Sequence, residues 1–199
     1  MESFKQYLLT EMPHVLSVDF SFPKQVLHDQ NKDLLRYSSS IEHLTYNNRT
    51  IEILQHLSRK SDHTLVRYLA VDRETRKIVA YTEGRVPKNN IGFTSLYVWN
   101  DPDKVPGIVR YIMFTHILPA YKKIFSDQHQ STEGKAFWKK IIDAALKEPN
   151  KYTLQIFHDN VVEPFSIKKY DSYYSNSKDT LKDSTANKSN IQFILSLKK

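Results

Sequence analysis

Between Phe93 and Leu146 the apolar positions change their spacing three times, and each change marks an element. Phe93 to Trp99 and Lys122 to Phe125 are short runs rich in β-branched and aromatic residues, which predicts two strands. Ile108, Tyr111, Ile112 and Thr115, with Val109, Met113 and Ile117, recur at helical spacing, and Thr132 to Leu146 repeats that period. A succession of strand, helix, strand, helix predicts two parallel neighbouring strands joined by a crossover helix. Such units bind ligands at the carboxyl ends of their strands, which directs attention to the turns Asn100 to Gly107 and Ser126 to Thr132.

The remaining patterns surround this unit. Phe4, Tyr7, Leu8 and Glu11 share one helical face, so the chain opens on a short amphipathic helix. Val15 to Phe22 alternates, with Leu16, Val18, Phe20 and Phe22 on the apolar side of a strand. Lys24 to Tyr37 and Arg49 to Arg59 read as two modest helices, the second carrying Ile51, Leu54 and Leu57 at helical spacing, with breaks at Ser38 to Ser40 and at Asn47 and Asn48. Leu65 to Val71 and Lys77 to Val86 form a hairpin across a short polar loop. Tyr152 to Phe157 and Ile191 to Leu197 are further strands, and the polar stretch 171–190 between them reads as a mobile loop.

Composition narrows the chemistry. The 199 residues are 40% hydrophobic and 12% aromatic, enough for one good core and hence one domain over 12–199. No apolar run approaches the roughly 18 residues that cross a bilayer, so no membrane partner is expected. The absence of cysteine excludes disulfides, thiolate metal sites and a cysteine nucleophile. With no His-x-x-x-His pair among eight histidines, no metal is expected, and four glycines are too few for a glycine-rich phosphate loop. The net charge of +7, from 29 basic and 22 acidic residues, favours weak contact with nucleic acid. The basic residues are scattered along the chain, however, and a solvated basic surface accounts for them as well.

The order of elements from Val15 to Leu197, with Tyr68-Leu-Ala-Val-Asp72 followed by Ile78 to Arg85, resembles the GNAT family of N-acetyltransferases. That resemblance implies an α/β fold, a central mixed sheet of about seven strands with about four helices. It implies acetyl-CoA as cofactor, its thioester beside Tyr97 and Val98, and its pyrophosphate held by Lys104 and Gly107 at the turn after the fourth strand. The turn departs from the family pattern: Asp101 and Asp103 repel an anion, and Pro102 and Pro106 lack N–H donors. A second segment, Ser126, Asp127, Gln130, Ser131, Gly134 and Trp138, resembles a motif of GNAT-like bacteriophage proteins. The first eleven residues resemble the capsid-targeting leader of T-even-like internal head proteins, with Leu9-Thr10-Glu11 at the cleavage site and Glu11 the last residue removed. Glu2 stands where such leaders carry lysine.

Two function classes follow. In one the chain is an acetyl-CoA-dependent N-acyltransferase of the host cytoplasm with a degenerate cofactor loop. In the other it is a non-enzymatic protein of the virion interior, injected with the DNA to act on a host component. Glu83 qualifies as a general base if it faces a cleft, and as a surface carboxylate otherwise. His116 reads as a satisfied helix-end histidine, and the GNAT resemblance implies a tyrosine proton donor, for which Tyr121 and Tyr152 are the candidates. Asp127 and His129 lack the third group of a triad. Tyr170, Tyr173 and Tyr174 beside Lys168 and Lys169 could stack on single-stranded nucleic acid, or simply dock a loop.

Overall fold

The computed structural model describes residues 31–46, 48–101, 105–127, 132–158, 161–169 and 192–198. The expected leader, the strand expected at Val15 to Phe22, the first half of the helix expected from Lys24, and the loop expected over 171–190 lie outside them. The chain divides into two compact units, Met1–Lys122 and Lys123–Lys199.

The first unit is built on five strands in sequential order: β1 (Ser39–Tyr46), β2 (Arg49–Arg59), β3 (His63–Asp72), β4 (Lys77–Pro87) and β5 (Phe93–Asn100). Every neighbouring pair among them is antiparallel. The hairpin of β3 and β4 follows the polar and apolar pattern described above. The helix expected over Arg49 to Arg59 is instead strand β2, and the break expected at Ser38 to Ser40 runs into β1. Ile51 and Ile53 are buried on one face of β2 and Leu54 on the other. A strand covered on both sides loses its two-residue alternation, so its apolar positions imitate a helical period.

Side chains alternate across this sheet, and the pairings sort them. Glu42, Ile53, Ala70 and Ala80 lie in one row, and Gln55, Tyr68, Thr82 and Val98 in the next on the same face. A helical run packs against β4 and β5: α2 (Ile108–Ile112), a π-helical turn (Met113–Ile117) and α3 (Leu118–Tyr121). Gly107 precedes it with φ 81°, and Lys122 ends it with φ 65°. Pro119 has no N–H for the carbonyl of Thr115, and the wider turn beside it accommodates the ring. On the opposite face, α1 (Asn31–Arg36) places Leu34 against Leu54, Leu69, Val71 and Tyr81, with Leu35, Ile78 and Trp99 at the margin.

The second unit contains β6 (Lys123–Phe125), α4 (Thr132–Leu146), β7 (Tyr152–His158), β8 (Val161–Pro164) and β9 (Gln192–Leu197). Its strands lie in the order β6, β9, β7, β8, again antiparallel. The buried side of α4, with Phe137, Trp138, Ile141, Ile142 and Ala145, packs on β7 and β9.

The expected α/β architecture of GNAT type, about seven strands with about four helices, is therefore corrected. Nine strands dominate the described residues, and the helices are few and mostly short. The excess of strand lies at β1 and β2, where the pattern predicts a break and a helix, and at β8, where no strand is predicted. Among the described residues no helix is long and apolar enough to cross a membrane.

Candidate functional site

Polar side chains concentrate at two places in the first unit, one on each face of its sheet. The first is assembled from β1 and the π-helical turn. Tyr111 donates its hydroxyl to both carboxylate oxygens of Glu42, at 2.7 and 2.8 Å. His116 brings Nε2 to 2.9 Å from Glu42 Oε2; since a carboxylate only accepts, Nε2 carries the proton. The side chains of His116 and Glu42 are 19% and 22% exposed, so water still reaches their edges. The His116 ring stacks 6.4 Å from that of Tyr68 and meets Tyr111 edge-on at 6.1 Å. The π turn decides this arrangement: an extra residue in the turn rotates His116 towards β1, a service π turns perform at many functional sites.

Beneath His116 runs a short chain of hydroxyls. Gln55 Nε2 donates to the Tyr68 hydroxyl at 2.8 Å, and Tyr68 donates in turn to Tyr121. Burial raises the pKa of both tyrosines, and the bond to Tyr121 raises that of Tyr68 further, so each keeps its proton at neutral pH.

The second place lies on the face that α1 partly covers. Arg67 Nε donates to Glu83 Oε2 at 2.5 Å, and the Tyr81 hydroxyl reaches the same oxygen at 2.8 Å. Arg67 Nη1 also donates to His56 Nδ1 at 3.3 Å. Desolvation first, and the guanidinium second, lower the His56 pKa and leave the ring neutral. Burial drives the Tyr81 hydroxyl upward, and the neighbouring Glu83 carboxylate adds to the rise.

The residues singled out from sequence scatter. Tyr97 and Val98 follow one another on β5 and point to opposite faces: Tyr97 pairs with Glu83 and is exposed, and Val98 pairs with Thr82. Gly107 opens α2 with no side-chain cap, and its carbonyl accepts from Tyr111 N–H at 3.0 Å. Lys104, Gln130, Ser131 and Glu11 lie outside the described residues. Ser126 is fully buried: its N–H donates to Phe193 O, and its Oγ accepts from Phe193 N–H, both at 2.9 Å. Trp138 stacks on the same Phe193 at 6.4 Å, so Ser126 and Trp138 meet at one residue of β9. Asp127 follows Ser126, whose Oγ donates to the Asp127 carbonyl at 3.1 Å, and Gly134 sits in the first turn of α4. Tyr152 neighbours Lys151, whose ammonium lies 5.2 Å from the Tyr152 ring centroid.

Sequence reasoning named His116 and Glu83 and missed Glu42, Tyr111 and Arg67, their partners. Glu42 and His116 are 74 residues apart, and no spacing rule links them. For Arg67 and Glu83 a signal existed: they stand directly opposite in a hairpin whose register the sequence implies. The chain matches no protein-family model, no curated protein and no solved structure. Among the described residues no group of three or more metal-binding side chains comes together.

Proposed function

We propose that the chain is a non-catalytic binding protein of a bacteriophage particle, carried inside the capsid and delivered with the DNA to act on a host component. One observation carries the non-catalytic part. The ionisable side chains best suited to acid–base work in the first unit are engaged with one another: Glu42 with Tyr111 and His116, and Glu83 with Arg67 and Tyr81. A general base needs a lone pair aimed at its substrate, and both oxygens of Glu42 and Oε2 of Glu83 already accept hydrogen bonds from within the sheet and its helix. The Glu42 network holds the helical run on the sheet and fixes its rotation, and the Glu83 network ties β3 to β4.

The particle reading is supported by the likeness of Met1 to Glu11 to a capsid-targeting leader and of Ser126 to Trp138 to a bacteriophage segment. Removal of the leader takes away Glu2, Lys5 and Glu11 and leaves a side-chain charge of +8 in place of +7. A more basic chain packs more readily against DNA.

Two measurements test the two parts. Calorimetric titration with acetyl-CoA is expected to give no heat of binding, and micromolar affinity would overturn the non-catalytic reading in favour of acyl transfer. Mass spectrometry of purified particles is expected to find a peptide that begins at Met12. Intact Met1 on every copy, or absence of the chain from particles, would overturn packaging.

A further inference from the structure

The basic residues are scattered in sequence, but the first sheet gathers four of them at one end. Arg59 closes β2 and Lys60 begins the turn to β3, in which Lys60 N–H donates to His63 O at 2.8 Å. Across β3, His63 pairs with Pro87 and Leu65 with Arg85, so the end of β4 lies alongside. Lys88 sits in the next turn, closed by Asn90 N–H to Pro87 O at 2.9 Å. Arg59, Lys60, Arg85 and Lys88 are all exposed, and none forms an ion pair among the described residues. The carboxylate in the same turn, Asp62, is held by His63 Nδ1 at 2.7 Å and is attracted by Arg85 from beyond ion-pair distance.

This end projects. β1 pairs with β2 only as far as Ser39 opposite Gln55, so β2 continues four residues, His56 to Arg59, beyond the edge strand. At about 3.4 Å per residue the overhang past β1 is about 14 Å. Register also fixes the directions of the charges. Arg59 stands opposite Thr64 on the face of Tyr68, and Arg85 stands opposite Leu65 on the other face. Lys60 and Lys88 occupy the turns between.

We propose that this end of the sheet enters the major groove of duplex DNA and binds the backbone phosphates on both sides. A flat anionic surface, whether a membrane or a protein, meets cations on one face. A sheet about 10 Å thick with cations on both faces suits instead a slot about 12 Å wide whose two walls carry phosphates. The major groove of A-form RNA is too narrow and deep to admit it. Ser61, Asn89 and Asn90, exposed in the two turns, add neutral hydrogen-bond partners at the tip. The four cations take no part in the polar networks described above, and the proposal stands whether or not the chain is carried in a particle.

Fluorescence anisotropy of the full chain with labelled duplex DNA tests it, with duplex RNA and vesicles containing anionic lipid as competitors. Four phosphate contacts predict an affinity that falls roughly a hundredfold between 50 and 200 mM salt, at a slope near 0.9 per contact. The variant Arg59→Gln, Lys60→Gln, Arg85→Gln, Lys88→Gln should abolish most of that slope. Arg73→Gln with Lys77→Gln, exposed cations at the opposite end, should leave more than half of it. Unchanged far-ultraviolet dichroism in both variants ensures that folding is compared like for like. No binding to duplex DNA, equal loss in the two variants, or stronger competition by duplex RNA or vesicles would each overturn the proposal.

Discussion

At the end of the first sheet where β3 turns into β4, Arg49 donates to Asp72 at 2.8 Å and Arg76 to Glu52 at 3.2 Å. At the other end, where β2 turns into β3, Arg59, Lys60, Arg85 and Lys88 face solvent without such partners among the described residues. The same residue types thus do two kinds of work. Asp72 is 1% exposed and its Oδ1 accepts from the N–H groups of Glu74 and Thr75, both at 3.0 Å, so its charge builds the turn. Asp62, in the turn at the opposite end, has a side chain 79% exposed and binds its neighbour His63, with Arg85 attracting it from β4. Charge that organises backbone is costly to remove, and charge that waits at a surface is free for something else to bind.

The largest effect is expected between the two ends, where β4 and β5 come close at a bulge. A Cβ at Gly84 would lie 2.5 Å from Thr94 O and closer still to the Phe93 ring, which is fully buried. Neither backbone nor a packed ring yields cheaply, so Gly84→Ala should destabilise by about 3 kcal/mol in denaturant unfolding. A loss below about 1 kcal/mol would mean that the bulge relaxes freely. Asp72→Ala comes next, at about 2 kcal/mol, because two turn N–H groups and a guanidinium lose their acceptor. Asp62→Ala should leave the unfolding midpoint where it was. Equal losses at Asp62 and Asp72 would erase the contrast between the ends.

The same contrast gauges how much the sequence disclosed. The β3–β4 hairpin was legible because polar loop and alternating strands agree there, but the Arg67–Glu83 pair that its register sets opposite one another was missed. β2 was not, because burial on both faces removes the alternation that betrays a strand. The Glu42–Tyr111–His116 network depends on a π turn that Pro119 hints at and on a β1 that serine-rich pattern disguises. The basic end was invisible for a simpler reason. Arg59 and Arg85 become neighbours only through two strand pairings, and a scan for clustered cations sees two isolated pairs.

Acid should act on the two faces in sequence. Thr75 N–H first, and Arg49 next, hold the Asp72 carboxyl below its usual range. A depressed carboxylate stabilises the fold above its unfolded value of about 3.9, and that contribution is lost as pH falls through the folded value. His56 titrates earlier. Its lowered pKa means that the unfolded chain takes up a proton first, so stability declines as pH drops below about 6.5. His56→Gln should flatten the decline above pH 5 and leave the later one, whereas Asp72→Ala should do the reverse. Urea midpoints measured across this range would separate the two, and one common transition in both variants would sink the assignment.

A smaller and opposite change is expected at Thr82, whose Oγ1 is buried without a hydrogen-bond partner among the described residues. Thr82→Val removes an unsatisfied hydroxyl from a fully buried site and should stabilise by about 1 kcal/mol. A loss of stability would indicate that the hydroxyl has a partner after all.

The smallest effect belongs to the basic end itself. Arg59 and Lys60 are adjacent in sequence, and Arg85 lies two strands away, so like charges repel with little attraction to offset them. Arg59→Gln with Lys60→Gln should raise the unfolding midpoint in low salt by an amount worth no more than about 0.5 kcal/mol. The gain should fade as salt shortens the screening length. At the closed end the sign reverses: Arg49→Gln strips a buried carboxylate of its cation and lowers the midpoint at every salt concentration. Thermal melts of the two variants at low and high salt read both signs in one experiment. If Arg59 and Lys60 prove stabilising, they have partners within the fold, and this end is no more open than the other.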